Sequence, residues 1–423
     1  MKKICAGILA LLLGLFSGCS AMQNTPTTTT APPANGGVQE LPQGLILLDI
    51  SGGSLDTSVR YSRNAWLESF GSNDYHIRLT YDRNEENLPL IYYLRNRETG
   101  AETPVTIPRW SVAAGSHVVL QDRYYFEWLA EATDDSKIVL IRVDGVTGEV
   151  KVVDTVSSVS PFIYLSKLDD DHFTSSSLVP APEAEGNEIQ ITAVRIYDAE
   201  GNGREIIREE YRCSEENPTS IGRHLENVCA MDGKVYGYGR EYVDHVPEYC
   251  LYTYSEEGAF ERREPLPGVN EIIGEEQAVQ FWIVGEYILV RTWESLTSYI
   301  IKRGEGAAEL LMKGEQNENL LTFSDSITRS EDVEYLFYVA DFQVEDIPAF
   351  QPLKAIEVSS GEIKSVSLRP NEDYPYMIDF RMASNGDLVF QYEARWDSPL
   401  SGMYAQYAVP KETLREMLLA ADA

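Results

Sequence analysis

The sequence predicts an all-β protein: a β-propeller of seven four-stranded blades, closed by pairing its N- and C-terminal segments and followed by a short C-terminal helix. Three observations predict it. From residue 44 onward, short apolar-alternating runs are separated by Gly, Asp and Asn turns, with almost no helical periodicity. Two classes of turn interleave along those runs, seven of each, at a period near 50 residues. The last unit lacks a fourth strand, while an orphan strand stands at the start of the repeats. Composition agrees, because 43% hydrophobic residues can bury a sizeable core and exclude wholesale disorder. With 67 acids against 35 bases in 423 residues, nucleic acid and anionic headgroups are poor electrostatic partners.

The chain opens with Lys2 and Lys3, an apolar run from Ile4 to Phe16, and the small residues Ser17-Gly18 before Cys19. That is a secretory signal over residues 1–18, too short to cross a membrane as a stable helix. Small residues before Cys19 admit the chain to a peptidase, and the thiol is a nucleophile for diacylglycerol. The pattern resembles the lipobox of bacterial lipoproteins, with Phe16 where leucine is usual. The resemblance implies that Cys19 is lipidated, becomes the first residue of the mature chain and anchors it to the cell membrane outside the cytoplasm. Residues 19–40 then form a tether whose Thr, Pro, Ala and Gly cannot bury a core. Without residues 1–18 the chain keeps 33 basic against 67 acidic residues, a formal charge of −34.

The repeats occupy 41–423. Glycine turns stand near Gly53, Gly100, Gly148, Gly201, Gly258, Gly306 and Gly361, at spacings of 47, 48, 53, 57, 48 and 55 residues. Each from Gly100 onward is preceded, one hairpin earlier, by a second class of turn. That class runs through Ser72-Asn73-Asp74, Gln121-Asp122, Asp169-Asp170-Asp171, Asp232-Gly233, Val284-Gly285-Glu286, Glu331-Asp332 and Asn385-Gly386. Asp-Gly and Asn-Gly favour tight hairpins because a type I′ turn needs positive φ twice. After Gly386 the chain makes strands over 387–394 and 403–409 and ends in an amphipathic helix from Pro410 to Ala421. Pairing the last strand with the one at 44–50 within one blade removes the exposed edges of an open ring. Gly-His and Trp-Asp repeats and the sialidase box are absent. The whole resembles the broad group of bacterial propeller-type lipoproteins with degenerate repeats, a resemblance that carries no catalytic motif.

The tight turns should form one plain face and the B–C loops the working face, at 82–90, 128–137, 177–189, 241–249, 291–298, 341–351 and 394–402. There an acid adjoins a ring in five units: Glu127-Trp128, Glu241-Tyr242, Trp293-Glu294, Asp341-Phe342 and Trp396-Asp397, with Arg240, Arg291 and Arg395 nearby. Rings offer C–H and π faces and carboxylates accept hydrogen bonds, a combination suited to a carbohydrate, a peptidoglycan fragment or a cationic peptide. The competing reading makes the rings inter-blade packing and the acids solvated rim. A ligand- or protein-binding module at the cell envelope, with an envelope protein as one class of partner, is the leading expectation. A glycan-active hydrolase or lyase using B–C carboxylates is the alternative. No catalytic residue, metal ligand or cofactor is assigned: Gly-x-Ser-x-Gly is absent, and Asp169-Asp170-Asp171-His172 lacks the alternating spacing of a calcium loop. Cys213, Cys229 and Cys250 permit one disulfide, or buried thiols that stay unpaired.

Overall fold

The computed structural model describes residues 39–40, 44–52, 54–56, 60–82, 91–107, 110–131, 134–157, 163–181, 187–214, 217–274, 276, 278–292, 295, 297–304, 307–314, 320–339, 352–368, 373–395, 400 and 402–420. Cys19, the signal and most of the tether lie outside them. Seven antiparallel sheets form a ring of blades, each built on four strands. Blade 1 comprises Arg60–Phe70, Asn73–Asp82, Ile91–Asn96 and Glu102–Val105. Blade 2 comprises Trp110–Leu120, Tyr124–Glu131, Asp134–Asp144 and Val150–Ser157. Blades 3 to 6 begin at Tyr164, Asn227, Ala278 and Leu320. Blade 7 takes three strands from the C-terminus, Tyr376–Met382, Leu388–Glu393 and Met403–Val409, and its fourth, Ile46–Gly52, from the N-terminus. Ile46 pairs with Ala408 and Gly52 with Met403, so the two ends of the described chain meet in one sheet, as the missing strand required.

First (A) strands touch one another between blades 2 and 3, 3 and 4, 4 and 5, and 6 and 7, which marks them as the innermost strands. All seven predicted second-class turns join strand A to strand B. Asp232 and Gly233 take φ of 53° and 67°, the doubly positive pair a type I′ turn needs, and Gln121-Asp122 does the same without glycine, at 56° and 49°. Cores form between blades rather than within them: Phe126, Trp128, Leu140, Phe173 and Tyr197 fill the seam between blades 2 and 3. The C-terminal helix, Lys411–Ala420, buries Leu414 and Leu418 against blades 6 and 7, with Met417 partly buried beside them. Cys213, Cys229 and Cys250 are free thiols, the last two buried.

Three expectations are corrected. The glycine turn near Gly53 does not close a C–D hairpin. It follows the closing strand of blade 7 and leads to Ser54–Asp56, which joins blade 1. The predicted loops 128–137 and 241–249 are mostly strand. Tyr124–Glu131 and Asp134–Asp144 leave a gap of only two residues, and Lys234–Val243 and Val246–Ser255 are joined by Asp244-His245 at φ 51° and 66°. Thirdly, the face of tight turns is not plain. Glu331-Asp332 belongs to a twelve-residue A–B connection in blade 6, from Phe323 to Glu334, that lies across the ring.

Candidate functional site

The long blade 6 connection is a plug. Blade 2 reaches it through Val119, whose N–H donates to Ser326 Oγ at 3.0 Å. Lys167 of blade 3 donates from its N–H to the Asp325 carbonyl at 2.8 Å, and Asp232 of blade 4 to the Thr328 carbonyl at 2.8 Å. From blade 5, Trp282 Nε1 donates to Asp325 Oδ1 at 2.7 Å and Gly285 N–H to Ser330 Oγ at 3.0 Å. The Asp232 carboxylate also accepts from the backbone N–H and the hydroxyl of Ser330, both at 2.7 Å. A loop of blade 6 bonded to the A-strand ends of blades 2, 3, 4 and 5 must cross the axis, so it fills the channel at the A–B face. Serines suit this work: a short hydroxyl both donates and accepts, and so satisfies backbone N–H groups left at the ends of neighbouring strands.

At the plug, titratable groups converge from separate blades. Glu68 of blade 1, fully buried, accepts from the Ser69 N–H at 2.9 Å and from the Ser384 N–H of blade 7 at 3.3 Å. Its Oε2 lies 3.3 Å from Nε2 of His117 in blade 2. Burial disfavours the charged form of His117, but the Glu68 hydrogen bond and the Glu68, Glu127 and Asp325 charges outweigh it and hold its pKa above the usual value. Burial pushes Asp325 up to about 7, against the Trp282 hydrogen bond and the His117 charge. Asp325 can therefore hold or pass a proton near neutral pH.

Nearer the middle of the channel, Arg381 Nε of blade 7 donates to Asp379 at 2.9 Å. Arg291 of blade 5 is within electrostatic reach of Asp379 and of Tyr164 in blade 3, and burial lowers its pKa. A small cavity opens here between blades 7 and 1, lined by Trp66, Asp379, Arg381, Val389, Gln391 and Gln406.

The predicted acid–ring pairs separate. Trp128 is buried, donates from Nε1 to Ser175 Oγ at 3.0 Å and packs into the seam with blade 3. Its neighbour Glu127 points the other way, among Tyr75, Tyr92 and Tyr125 in the seam with blade 1. Burial pushes the Glu127 carboxyl up to about 7, with His117 opposing, and its Oε2 has no hydrogen-bond partner. Successive residues of a strand face opposite sides of the sheet, so adjacent positions within one strand cannot share a surface. The same parity divides Glu241 from Tyr242. Glu241 accepts from Tyr252 Oη and from Arg263 Nη2 at 2.9 Å, while the Tyr242 ring lies beside the Arg240 guanidinium. Glu241, Glu248 and Cys250 place ligand atoms within 4.8 Å of one another, a spacing open to a metal ion, but Arg263 already bonds both carboxylates. Trp293-Glu294, Asp341-Phe342 and Trp396-Asp397 lie outside the described residues.

Residues the acid–ring pattern did not single out, Glu68, Asp325, Arg381, Gln391 and Gln406, are polar or charged positions inside or beside inner strands. A charge within an apolar run, such as Glu68 in Trp66-Leu67-Glu68-Ser69-Phe70, is the signal that marks them.

No protein-family model matches the chain, and no curated protein matches it in sequence. Solved structures do. The β-propeller domain of the Trilobed protease from Pyrococcus furiosus is 13% identical over 82% of this chain and 93% of that one, with a TM-score of 0.45. An oligogalacturonate lyase from Vibrio parahaemolyticus is 12% identical over 87% of this chain and 99% of that one, with a TM-score of 0.43. One of two prolyl endopeptidases studied together is 14% identical over 80% of this chain, with a TM-score of 0.37, and the chain spans only 55% of that enzyme's length. These likenesses concern the fold alone.

Proposed function

We propose that the protein is a lipid-anchored extracytoplasmic β-propeller that binds a ligand or a protein partner at the cell envelope through its loop face. The observation that carries the reading is the plug. With the A–B end of the channel filled by the chain itself, approach to the inner polar groups is from the B–C face, where the candidate rings cluster in sequence. The signal and Cys19 supply the anchor and the uncharged stretch 20–38 supplies reach. The carbohydrate, peptidoglycan fragment or cationic peptide of the sequence reading remain the ligand classes, with Tyr242, Trp293, Glu294, Asp341, Phe342, Trp396 and Asp397 as rim residues. Binding leads the hydrolase or lyase alternative because Glu127 is enclosed between blades and Glu241 is tied to Arg263 and Tyr252. Neither stands free to face a second carboxylate across a sugar.

Two measurements test this. Full-length chain made in a bacterial host supplied with labelled palmitate should carry label that Cys19→Ala abolishes; unlabelled wild type would remove the anchor. On a glycan and peptidoglycan-fragment array, wild type in detergent should bind, and Trp293→Ala with Trp396→Ala should weaken the signal without altering the circular dichroism. An unchanged signal rejects the ring-lined rim.

A further inference from the structure

The plug, residues 323–334, carries five ionisable side chains, and one of them is placed unlike the rest. Arg329 pairs with Glu331 at 66% and 76% exposure, Asp332 is exposed, and Glu334 pairs with Arg415 of the C-terminal helix at 2.9 Å. Asp325 alone turns to the inner strands. Its carboxylate accepts from Trp282 Nε1 at 2.7 Å and its backbone carbonyl from the Lys167 N–H at 2.8 Å, so one residue ties the plug to blades 3 and 5. His117 of blade 2, Tyr164 of blade 3 and Cys229 of blade 4 face the same carboxyl.

A neutral carboxyl suits that position better than a carboxylate. Among the described residues no lysine or arginine side chain bonds it. The Lys167 ammonium is on Asp170 at 2.8 Å, and the Arg381 guanidinium is on Asp379 at 2.9 Å and faces Glu127. Burial pushes Tyr164 and Cys229 up, so both stay neutral. The cation that remains, His117, is bonded to Glu68 at 3.3 Å and faces Glu127 as well. Three carboxyls from three elements therefore surround one imidazole, and Asp325 is the one that can leave with the plug. The plug's other ties are individual hydrogen bonds at Ser326, Thr328, Ser330 and Asp332, and its apolar burial is limited to Phe323, Val333 and part of Ile327.

We propose that the plug is a pH-sensitive gate, latched to the ring while Asp325 keeps its proton and loosened as Asp325 ionises. The device is independent of any ligand the loop face takes. Opening it would make the channel reachable from the A–B face as well as from the B–C face.

The direction follows from proton linkage. In the closed plug, burial outweighs the Trp282 and Ser116 hydrogen bonds and the His117 charge and holds Asp325 at about 7; in water it returns to 3.8. The closed state therefore binds the proton more tightly, and its advantage is complete below 3.8 and lost as pH rises through 7. His117 acts in the same direction. Despite burial, Glu68 and the surrounding acids hold it above its usual value, and losing its proton withdraws the one cation near Asp325.

The test is hydrogen exchange on the full-length chain in detergent, read as protection factors so that base catalysis cancels. Between about pH 5 and about pH 8, protection at residues 323–334 should fall by on the order of tenfold to a hundredfold, while the strands carrying Phe126 and Phe173 keep theirs. Asp325→Asn retains an acceptor for the Trp282 indole but cannot ionise, and it should reduce the fall to under roughly threefold. Glu127→Gln removes the other carboxyl that titrates near 7 and should keep most of the fall. A further readout needs no variant: in wild type the fall should level off above about pH 8, once Asp325 is ionised in the closed plug too. Equal protection across this range overturns the gate whatever the variants do, and so does a fall that begins only above about pH 8. It is overturned equally by a fall that Asp325→Asn keeps in full, that Glu127→Gln alone abolishes, or that the blades share.

Discussion

The seam between blades 2 and 3 and the seam between blades 7 and 1 join equivalent pairs of sheets with different materials. Between blades 2 and 3 the contact is largely apolar and aromatic: Phe126 and Phe173 stand 4.7 Å apart, Phe173 stacks on Tyr197 at 5.2 Å, and Trp128 donates to Ser175, while Ser116 Oγ donates to the Leu165 carbonyl at 3.0 Å and Arg195 and Tyr197 Oη donate to Asp154, both at 2.6 Å. Between blades 7 and 1 the apolar cluster is small, around Leu48, Trp66 and Val389, and the rest is polar. Asp49 accepts from Arg95 and, at 2.7 Å, from Asn64 Nδ2; Asn64 in turn accepts from Arg78 at 3.0 Å and from Gln406 at 2.8 Å. A register shift between Leu47 and Asp49 turns both Leu48 and Asp49 inward. The two seams face different problems. Blades 2 and 3 are consecutive in the chain, which already limits how they can align, so a large aromatic cluster can carry most of the contact, with Asp154 and Ser116 bonded beside it. The last blade must recruit a strand from the far end of the repeats, and apolar pleats accept a register slip more readily than a network of fixed donors and acceptors does. The polar seam specifies closure, and the same polarity leaves the cavity there incompletely satisfied.

The comparison predicts the largest loss where the seam is dry. Trp128→Ala should cost about 3–5 kcal/mol by denaturant titration, because a fully buried indole leaves a cavity its neighbours cannot fill. A loss under about 1 kcal/mol would mean that the blades repack independently.

Glu127, in the seam between blades 1 and 2, is the intermediate case. Its carboxyl rises from 4.5 to about 7, so the folded state holds that proton more tightly than the unfolded chain does. The associated stability is fully present below pH 4.5 and is lost as pH rises through 7. Between these limits Glu127→Gln should gain on wild type by on the order of 3 kcal/mol, ending more stable at pH 8. Asp325, also pushed up to about 7, slopes the same way in both proteins and cancels from the difference. A gap that does not change with pH would show that the carboxylate is solvated after all.

In the closing seam Asp49→Ala leaves Asn64 Nδ2 without its acceptor and Arg95 without its counter-ion. Arg95 keeps 23% of its side-chain surface, so water recovers part of the loss and about 2–3 kcal/mol is expected. The sharper reading is local: hydrogen exchange over Ile46–Gly52 should accelerate while blade 3 stays protected. Uniform acceleration would mean that closure is not controlled at this seam.

What the sequence made legible follows from distance along the chain. Turns are local, so Asp232-Gly233 and Asn385-Gly386 announced their hairpins, and the missing last strand announced the closure. The plug was not legible, because Ser326 takes its bond from Val119, 207 residues away, and Glu331-Asp332 reads locally as one more turn. Nor was the channel, whose contacts join Glu68 to His117 and to Ser384, 49 and 316 residues apart. The rings were legible as rings, but recognition of Glu127-Trp128 as a pair overlooked strand parity, which sends the two side chains into different seams.

The smallest expected effect probes the plug, which neither seam contains. Ser330 ties it to two blades at once, donating to Asp232 and accepting from the Gly285 N–H. Ser330→Ala removes both bonds at a partly exposed position, where water replaces much of what is lost, so global stability should fall by only about 1 kcal/mol. The plug buries little apolar surface apart from Phe323, Val333 and the partly buried Ile327, so its opening should be local rather than global. Exchange at residues 323–334 and at the Gly285 amide should quicken, while the Trp128 seam keeps its protection. If the plug stays protected in the variant, the bonds from blades 2 and 3 and the backbone bonds to Asp232 hold it without the Ser330 hydroxyl, and closure of that face is shared around the ring rather than anchored at that side chain.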